Sequence, residues 1–170
     1  QRAGDAVHQM QLERGMTAGF LGSEGETFGN RLNEQRPNTD AAAEAFQAQR
    51  DELDQALLTP AVTQQLNEID AQWQRQTQLR QRVDNLDVTM GDALSHYTGI
   101  NGQLMAFVGT LSHLTSEGDI ARQLNAYEQL LEAKDLAGIE RALLSNAFAA
   151  DGMPTAMLQR FFDVDFFFFF

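Results

Sequence analysis

Two arginines of this 170-residue chain stand among small residues, where their side chains are suited to binding an oxyanion. Arg14 is followed by the string GMTAG, and Arg141 lies in the string AGIERA. Small residues leave room for a guanidinium group, whose planar shape matches an oxyanion through two parallel hydrogen bonds. Spacing alone favours a different partner for both arginines, namely Glu13 and Glu140 across the bundle, because buried arginine usually pairs with a carboxylate of its own chain.

The segment around Arg14 reads as a helix, although it contains three glycines at helical spacing, Gly15, Gly19 and Gly22. Each glycine costs about 1 kcal/mol relative to alanine in a helix interior. We therefore predict that this helix presents a surface bare of side chains, which another group approaches closely.

Metal-binding and catalytic motifs are weakly represented. Asp5 and His8 would share one helix face, as would Asp92 and His96, but the chain has three histidines in all and lacks the paired Glu-x-x-His motifs of a di-iron bundle. It also has no cysteine, no Gly-x-Ser-x-Gly nucleophile motif and no glycine-rich phosphate loop. We expect no enzyme activity, no metal site and no cofactor.

The charge balance excludes some partners. The formal net charge is −12 at pH 7, whereas nucleic acids and anionic membrane surfaces bind basic proteins. The N-terminal residues form no apolar signal segment, and no run reaches the ~18 apolar residues that cross a bilayer. We expect contact with a membrane only through segments outside this sequence.

Helix-forming residues dominate the chain, while Val and Ile are scarce and alternating patterns are short. Short connections between the helices predict an all-α, antiparallel up-and-down bundle over residues 1–165. The run Phe166–Phe170 follows no periodicity, and we leave it outside the predicted fold. Amphipathic stripes predict helices over residues 3–21, 60–86, 90–114 and 120–148, and a last segment from about residue 155.

The stretch after the first helix contains several helix-breaking signals. We predict a short helix over about residues 26–35 and then a turn at Arg36-Pro37-Asn38, because proline is disfavoured inside helices. Thr39 or Asp40 is expected to cap the next helix.

Three further local features are predicted. Thr59 should cap a helix that has Pro60 at its first position. The polar residues 98–102 interrupt an apolar stripe, and they predict either a kink or a polar layer in the core. Ser116 or Asp119 should cap the last long helix.

Two long strings resemble the nitrate- and nitrite-sensing (NIT) domain. Residues 12–42, LERGMTAGFLGSEGETFGNRLNEQRPNTDAA, are similar to its opening signature, an E-R-G-x-S/T-x-G-(F/Y)-L helix followed by Q-R-x-x-T-D-x-A. Residues 120–151, IARQLNAYEQLLEAKDLAGIERALLSNAFAAD, are similar to its later L-x-A-Y-x-x-L-L-x-A-K-E-x-A-G-x-E-R-A segment. Asp135 stands where the family commonly has Glu, and the family domain is longer than this chain, so we expect its C-terminal helices to be missing here.

The resemblance implies an all-helical sensor of two stacked bundles, in which arginines hold nitrate or nitrite. Arg14 and Arg141 match motif positions, while Arg31 and Arg36 are alternatives near the predicted turn. Thr17 lies one helical turn after Arg14, so its hydroxyl would share that face. We therefore expect Arg14, Arg141 and Thr17 to bind the anion.

The resemblance also implies a place in bacterial receptors such as methyl-accepting chemotaxis proteins. We expect a ligand-sensing domain that passes a helix shift to an output domain, forms a homodimer through its helices and belongs to the periplasmic part of an inner-membrane receptor. Family members also occur in the cytoplasm, which is the alternative location. The alternative function is a non-catalytic interaction or dimerisation module without a small-molecule ligand, in which the glycine-bearing helix packs on another subunit.

Overall fold

Six α-helices form the chain in the computed structural model, which describes residues 2–53, 55–114 and 118–169. No strand occurs in these residues, so the all-α prediction is confirmed. The helices are α1 (Arg2–Gly22), α2 (Gly29–Asp51), α3 (Pro60–Asp84), α4 (Met90–Leu114), α5 (Gly118–Ala149) and α6 (Thr155–Phe169), with a 3-10 turn at Gln55–Leu57.

Successive helices run antiparallel, as the ion pairs between α2 and α3 illustrate. Arg36 near the start of α2 pairs with Asp84 at the end of α3, while Arg50 at the end of α2 pairs with Asp70 in the middle of α3. The helices α1 to α4 thus form the predicted up-and-down bundle, and α5 returns beside α1. Because α5 is the fifth element of this alternation, it runs parallel to α1.

Helix α1 is the central element, since it packs against α2, α4 and α5. Eleven of its 21 residues are buried, four of them polar or charged. The main core surrounds it, and its burial of apolar surface supplies most of the driving force for folding. That core includes Val7, Met10, Leu32, Phe46, Ile69, Tyr97, Ile100, Leu104 and Phe107.

Helix α2 is continuous, so the predicted turn at Arg36-Pro37-Asn38 is wrong, and Thr39 and Asp40 lie inside the helix rather than at its start. Proline normally costs about 3 kcal/mol in a helix interior. Here Pro37 is exposed, and the buried face continues past it from Leu32 to Thr39, whose hydroxyl lies 3.4 Å from the Gln9 carbonyl of α1. Packing on α1 therefore outweighs the local effect of the proline.

Other local predictions are confirmed. The Thr59 hydroxyl accepts a hydrogen bond from the Val62 amide at 3.3 Å, with Pro60 in the first turn of α3. Helix α4 runs unbroken through residues 98–102, and buried Asn101 bonds to α5, which confirms the polar layer.

The remaining predictions concern the ends of α5 and α6. Ser116 lies outside the described residues, and Asp119 lies within the first turn of α5 rather than before it. Helix α5 ends at Ala149 and α6 begins at Thr155, as predicted. The domain boundary at residue 165 stays a prediction.

Candidate anion-binding site

Arg14 lies buried at the junction of three helices. From α1 its guanidinium extends to α5, where Nη2 lies 3.0 Å from Asp135 Oδ1 and donates to the Asp135 carbonyl oxygen at 3.1 Å. Its Nη1 donates to Thr98 Oγ1 of α4 at 3.1 Å. Arg14 Nε is also buried, and it has no hydrogen-bond partner in the described part of the chain. One N–H of this fully buried cation is thus left without an acceptor among the described residues.

A single carboxylate oxygen joins the three helices at this point. Besides Arg14, Asp135 Oδ1 accepts from Gln11 Nε2 of α1 at 3.1 Å and from Asn101 Nδ2 of α4 at 2.8 Å. Burial lowers the pKa of Arg14, and the nearby Asp135 carboxylate opposes that shift. Because the arginine pKa lies so far above neutrality, Arg14 remains a cation.

Small residues beside Arg14 allow the close contact with α5. A Cβ atom on Gly138 would lie 2.6 Å from Arg14 Nη2, so only glycine leaves this position clear. The glycine that leaves room for the Arg14 guanidinium is therefore Gly138 of α5, which the sequence pattern grouped with Arg141.

Gly15, Gly19 and Gly22 of α1 have different surroundings. A Cβ atom on Gly19 would lie 2.5 Å from the Phe28 ring, and one on Gly22 would lie 2.6 Å from the Asn146 carbonyl oxygen. The predicted close approach is confirmed at these two positions, where the approaching groups belong to the same chain. A Cβ atom on Gly15 would meet nothing within 4 Å.

Glu13 does not pair with Arg14. Both of its oxygens accept from Arg80 of α3, at 2.8 and 2.9 Å, and Oε1 also accepts from Tyr97 at 2.9 Å and from Gln76 at 3.1 Å. Adjacent helix residues point about 100° apart, so Glu13 faces α3 while Arg14 faces α5. The predicted pairing of Arg14 with Glu13 or Glu140 is therefore wrong. Glu13 and Arg14 each pair with a different residue of the same chain, as expected for buried charges.

Thr17 belongs to the surroundings of Glu13. Its hydroxyl lies 3.1 Å from the Tyr97 hydroxyl. Because Tyr97 donates to Glu13, Thr17 is the donor in this contact. Burial and the Glu13 charge both raise the pKa of Tyr97, so the phenol stays protonated. The role of Thr17 as an anion ligand stays a prediction.

Arg141 lies on α5 one turn after Gly138, but its side chain is exposed. It lines a cleft between α1, α2 and α5 together with Gly15, Arg31 and Ser145. Its positive charge lowers the pKa of Arg14, so both guanidinium groups act on the same region. Arg141 and Gly15, the neighbour of Arg14 in sequence, therefore line the same cleft, while Arg14 itself is buried inside the bundle.

The remaining candidates have simpler surroundings. Arg36 makes a two-point pair with Asp84, at 3.0 and 2.7 Å, and Arg31 lies 5.6 Å from the Phe28 ring centre. The described residues contain no group of three acidic, histidine or cysteine side chains that could hold a metal ion. Among the same residues no helix is long and apolar enough to cross a membrane.

Sequence reasoning missed several site residues. Asp135 was visible only as a motif position, and its contact with Arg14 depends on α5 returning parallel to α1. Arg80 and Gln76 are polar and lie outside the apolar stripe that predicted α3, yet Gln76 is buried and Arg80 is half-buried. The one available signal was Glu13 itself, because a glutamate that becomes buried on α1 needs a cation from another helix.

Comparisons with known proteins agree with this architecture. The chain is similar in structure to the NasR transcription antiterminator, with a TM-score of 0.89 and 23% sequence identity over 96% of this chain and 44% of the NasR chain. At that identity the likeness shows the fold alone, and the chain spans less than half of the NasR chain. No curated protein sequence matches the chain significantly. The family model for nitrate and nitrite sensing matches residues 5–164. The chain therefore belongs to the NIT family of nitrate- and nitrite-sensing domains.

Proposed function

We propose that this chain is a non-catalytic sensor domain in which Arg14, Arg141 and Thr17 bind nitrate or nitrite. Family membership supports the ligand class. The observation that carries the site is the buried Nε of Arg14, which lacks a partner among the described residues. A buried N–H without an acceptor is costly, and a planar anion would supply one.

Anion binding competes with Asp135 for Arg14. Nitrate and carboxylate share a planar arrangement of oxygens, so both suit the same edge of a guanidinium group. On release from Arg14, Asp135 keeps its bonds from Gln11 and Asn101. Arg141 is exposed and forms no ion pair within the described residues, so it is free to turn toward the anion.

The same exchange would carry a signal. Arg14 of α1 now holds α5 through Asp135 and α4 through Thr98. When an anion replaces Asp135, α1 and α5 lose a direct ionic contact, and their packing equilibrium changes by the difference in affinity between the two states. We propose that this shift passes to an output domain outside this sequence, in a bacterial receptor of the chemotaxis type with this domain in the periplasm.

Isothermal titration calorimetry tests the site with nitrate, nitrite and chloride. Arg141→Gln should weaken nitrate binding at least tenfold without loss of folding, because the side chain is exposed. Arg122→Gln on the same helix is the matched control, since it removes an exposed arginine far from Arg14 and should bind nitrate like the wild type. Equal nitrate affinity in the wild type and in Arg141→Gln would remove Arg141 from the site, and no heat with any of these anions would contradict the proposed function.

A second candidate function is an interaction module without a small ligand. The contact that favours it is the complete ion pair between Arg14 and Asp135, which needs no anion for charge balance. The two functions differ in a thermal melt. A sensor is stabilised by its ligand, so nitrate should raise the melting temperature beyond a chloride control, whereas an interaction module should show equal melting in both salts.

A further inference from the structure

A cavity of about 200 Å³ lies between four helices, at the end of the bundle where α1 begins. Its lining residues come from the start of α1, the end of α2, the second half of α4 and the first half of α5. Gln49 is an exposed lining residue and marks the mouth of the cavity. The buried lining residues, which form its floor, are Ala3, Phe46, Phe107 and Val108.

The floor of this cavity is rich in aromatic rings. The Phe46 and Phe107 rings meet edge to face with their centres 5.6 Å apart, and Phe46 makes a second edge contact with Trp73 at 5.5 Å. Aromatic rings attract further rings in edge-to-face or offset arrangements. An aromatic ligand would therefore gain more from these walls than an aliphatic ligand of the same size.

Tyr127 of α5 supplies another aromatic wall, and it depends on a glycine of α1. A Cβ atom on Gly4 would overlap the Tyr127 hydroxyl group, so only glycine at this position lets the tyrosine lie against α1. Gly4 was not among the glycines that the sequence analysis singled out. Its place in the fold is to bring the Tyr127 ring to the side of the cavity.

The volume of the cavity sets the size of the ligand. An apolar cavity of about 150 Å³ lined by leucine, isoleucine and phenylalanine stays dry and binds benzene. The cavity in this chain, at about 200 Å³, therefore holds an aromatic ring that carries a small substituent.

The charged residue of the lining, Arg50, is already paired. Its Nη1 lies 2.6 Å from Asp70 Oδ2, and its Nε lies 3.1 Å from Asp51 Oδ1. A charged ligand would lose hydration against the apolar walls without gaining an unpaired counterion from Arg50. The lining therefore favours a neutral ligand.

We propose that this cavity is a second ligand site, which binds a neutral molecule with one substituted aromatic ring. The ring lies on the floor formed by Phe46 and Phe107, and the substituent points toward the mouth at Gln49. The site is separate from Arg14, since Ala3 and Arg14 lie roughly 16 Å apart along α1 at 1.5 Å per residue.

The helices that meet at Arg14 also line the cavity. Arg14 of α1 contacts Thr98 of α4 and Asp135 of α5, and all three helices contribute lining residues. A ligand in the cavity adds contacts that hold these helices in the packing that pairs Arg14 with Asp135. It should therefore oppose the exchange of Asp135 for nitrate, and the two ligands should weaken each other's binding. This coupling rests on the proposed function, whereas the cavity site does not.

Titration with p-cresol, a neutral ring with two small substituents, locates the site by ¹H–¹³C NMR of methyl groups. The Val108 and Leu111 signals should shift and saturate, because both residues line the cavity. The signal of Leu94, near the other end of α4, should stay unchanged. In calorimetry, benzoate and benzylammonium should bind at least tenfold more weakly than p-cresol, because each carries a charge.

Variants that fill the cavity test it independently. Leu111→Phe should raise the dissociation constant of p-cresol at least tenfold, since the added ring occupies the binding volume. Leu114→Phe is the matched control on the same helix, because Leu114 is 38% exposed and lies outside the lining, and it should bind p-cresol like the wild type. Leu124→Phe fills the cavity from α5, so the test holds even where Leu111→Phe fails to fold by circular dichroism.

Three results would overturn the cavity site or its ligand class. Val108 and Leu111 signals that do not respond to p-cresol would overturn the site, as would wild-type affinity for p-cresol in the folded filling variants. Tighter binding of benzoate or benzylammonium than of p-cresol would overturn the neutral ligand class.

Nitrate titration in saturating p-cresol separates this inference from the proposed function. The nitrate dissociation constant should rise about threefold or more through the coupling. An unchanged nitrate constant would overturn the coupling and leave the cavity site standing. Binding of p-cresol by a protein that binds no nitrate would contradict the sensor function and support the cavity site alone.

Discussion

Two buried ionic clusters begin at consecutive residues of α1, and they differ in how completely their polar groups are bonded. In the Glu13 cluster both carboxylate oxygens are paired, and Arg80 continues outward to exposed Asp40. In the Arg14 cluster, Arg14 Nε and Asn101 Oδ1 are buried without partners among the described residues. A fully bonded buried cluster fixes helix packing, whereas the spare N–H of Arg14 can donate to a ligand.

The largest expected effect belongs to the Glu13 cluster. Glu13→Ala leaves Arg80, Gln76 and Tyr97 without their shared acceptor, and breaking a buried pair in this way typically costs about 3–5 kcal/mol. Urea denaturation should show this loss. Nitrate affinity of the folded variant should fall less than that of Arg141→Gln, because Glu13 reaches the proposed ligands only through Tyr97 and Thr17. An equal or larger loss would show that the two clusters form one site.

Asp135→Asn is expected to act in two directions. It should lower the free energy of unfolding by about 1–3 kcal/mol, since Arg14 loses a charged partner. It should also tighten nitrate binding about tenfold, because the competing carboxylate is gone. Glu140→Gln is the matched control, since it removes one acidic charge from the same helix. Weaker nitrate binding in Asp135→Asn would mean that Asp135 positions Arg14 and does not compete for it.

A pair of glycine substitutions tests the packing around Arg14. Gly138→Ala should lower stability by about 1–2 kcal/mol and weaken nitrate binding, because the new methyl group displaces the guanidinium. Gly15→Ala should raise stability by about 1 kcal/mol, since the added methyl meets no neighbour and alanine favours the helix. Thermal melts measure both changes, and equal effects at the two positions would contradict the difference in their surroundings.

The smallest expected effect is a pH dependence near His96, whose Nε2 lies 2.7 Å from Gln76 Oε1. Burial and, to a lesser extent, Arg75 lower the pKa of His96 in the folded state. The unfolded chain therefore binds the proton more readily, so stability is complete above the unfolded pKa of about 6.5 and falls as the pH drops below it. In urea denaturation at pH 7 and pH 5, His96→Gln should show a smaller difference than the wild type, while exposed His113→Gln should match the wild type.

The long helices and the bundle could be predicted from sequence because their apolar stripes are strong and locally encoded. Prediction was wrong where tertiary packing decides. Pro37 is accepted inside α2 because Leu32 and Thr39 remain packed on α1 across it. No local sequence pattern indicates this packing of α2 on α1.

The candidate site was only partly predictable. Arg14 was identified by its small neighbours and its motif, but its bond to Asp135 joins residues 121 positions apart in sequence. The two arginines were predicted to pair with Glu13 and Glu140, whereas helix geometry turns Glu13 and Arg14 toward different neighbours. The spare N–H of Arg14 appears only once the surrounding helices are in place.

The most direct test of anion binding at Arg14 is a nitrate titration followed by the ¹H–¹⁵N NMR signals of arginine Nε groups. The Arg14 Nε signal should shift with nitrate and saturate, while that of Arg80, already bonded to Glu13 at 2.8 Å, should stay nearly unchanged. Chloride at the same ionic strength should not reproduce the shift. An Arg14 Nε signal that does not respond to nitrate would contradict the claim that the incomplete cluster is the anion site.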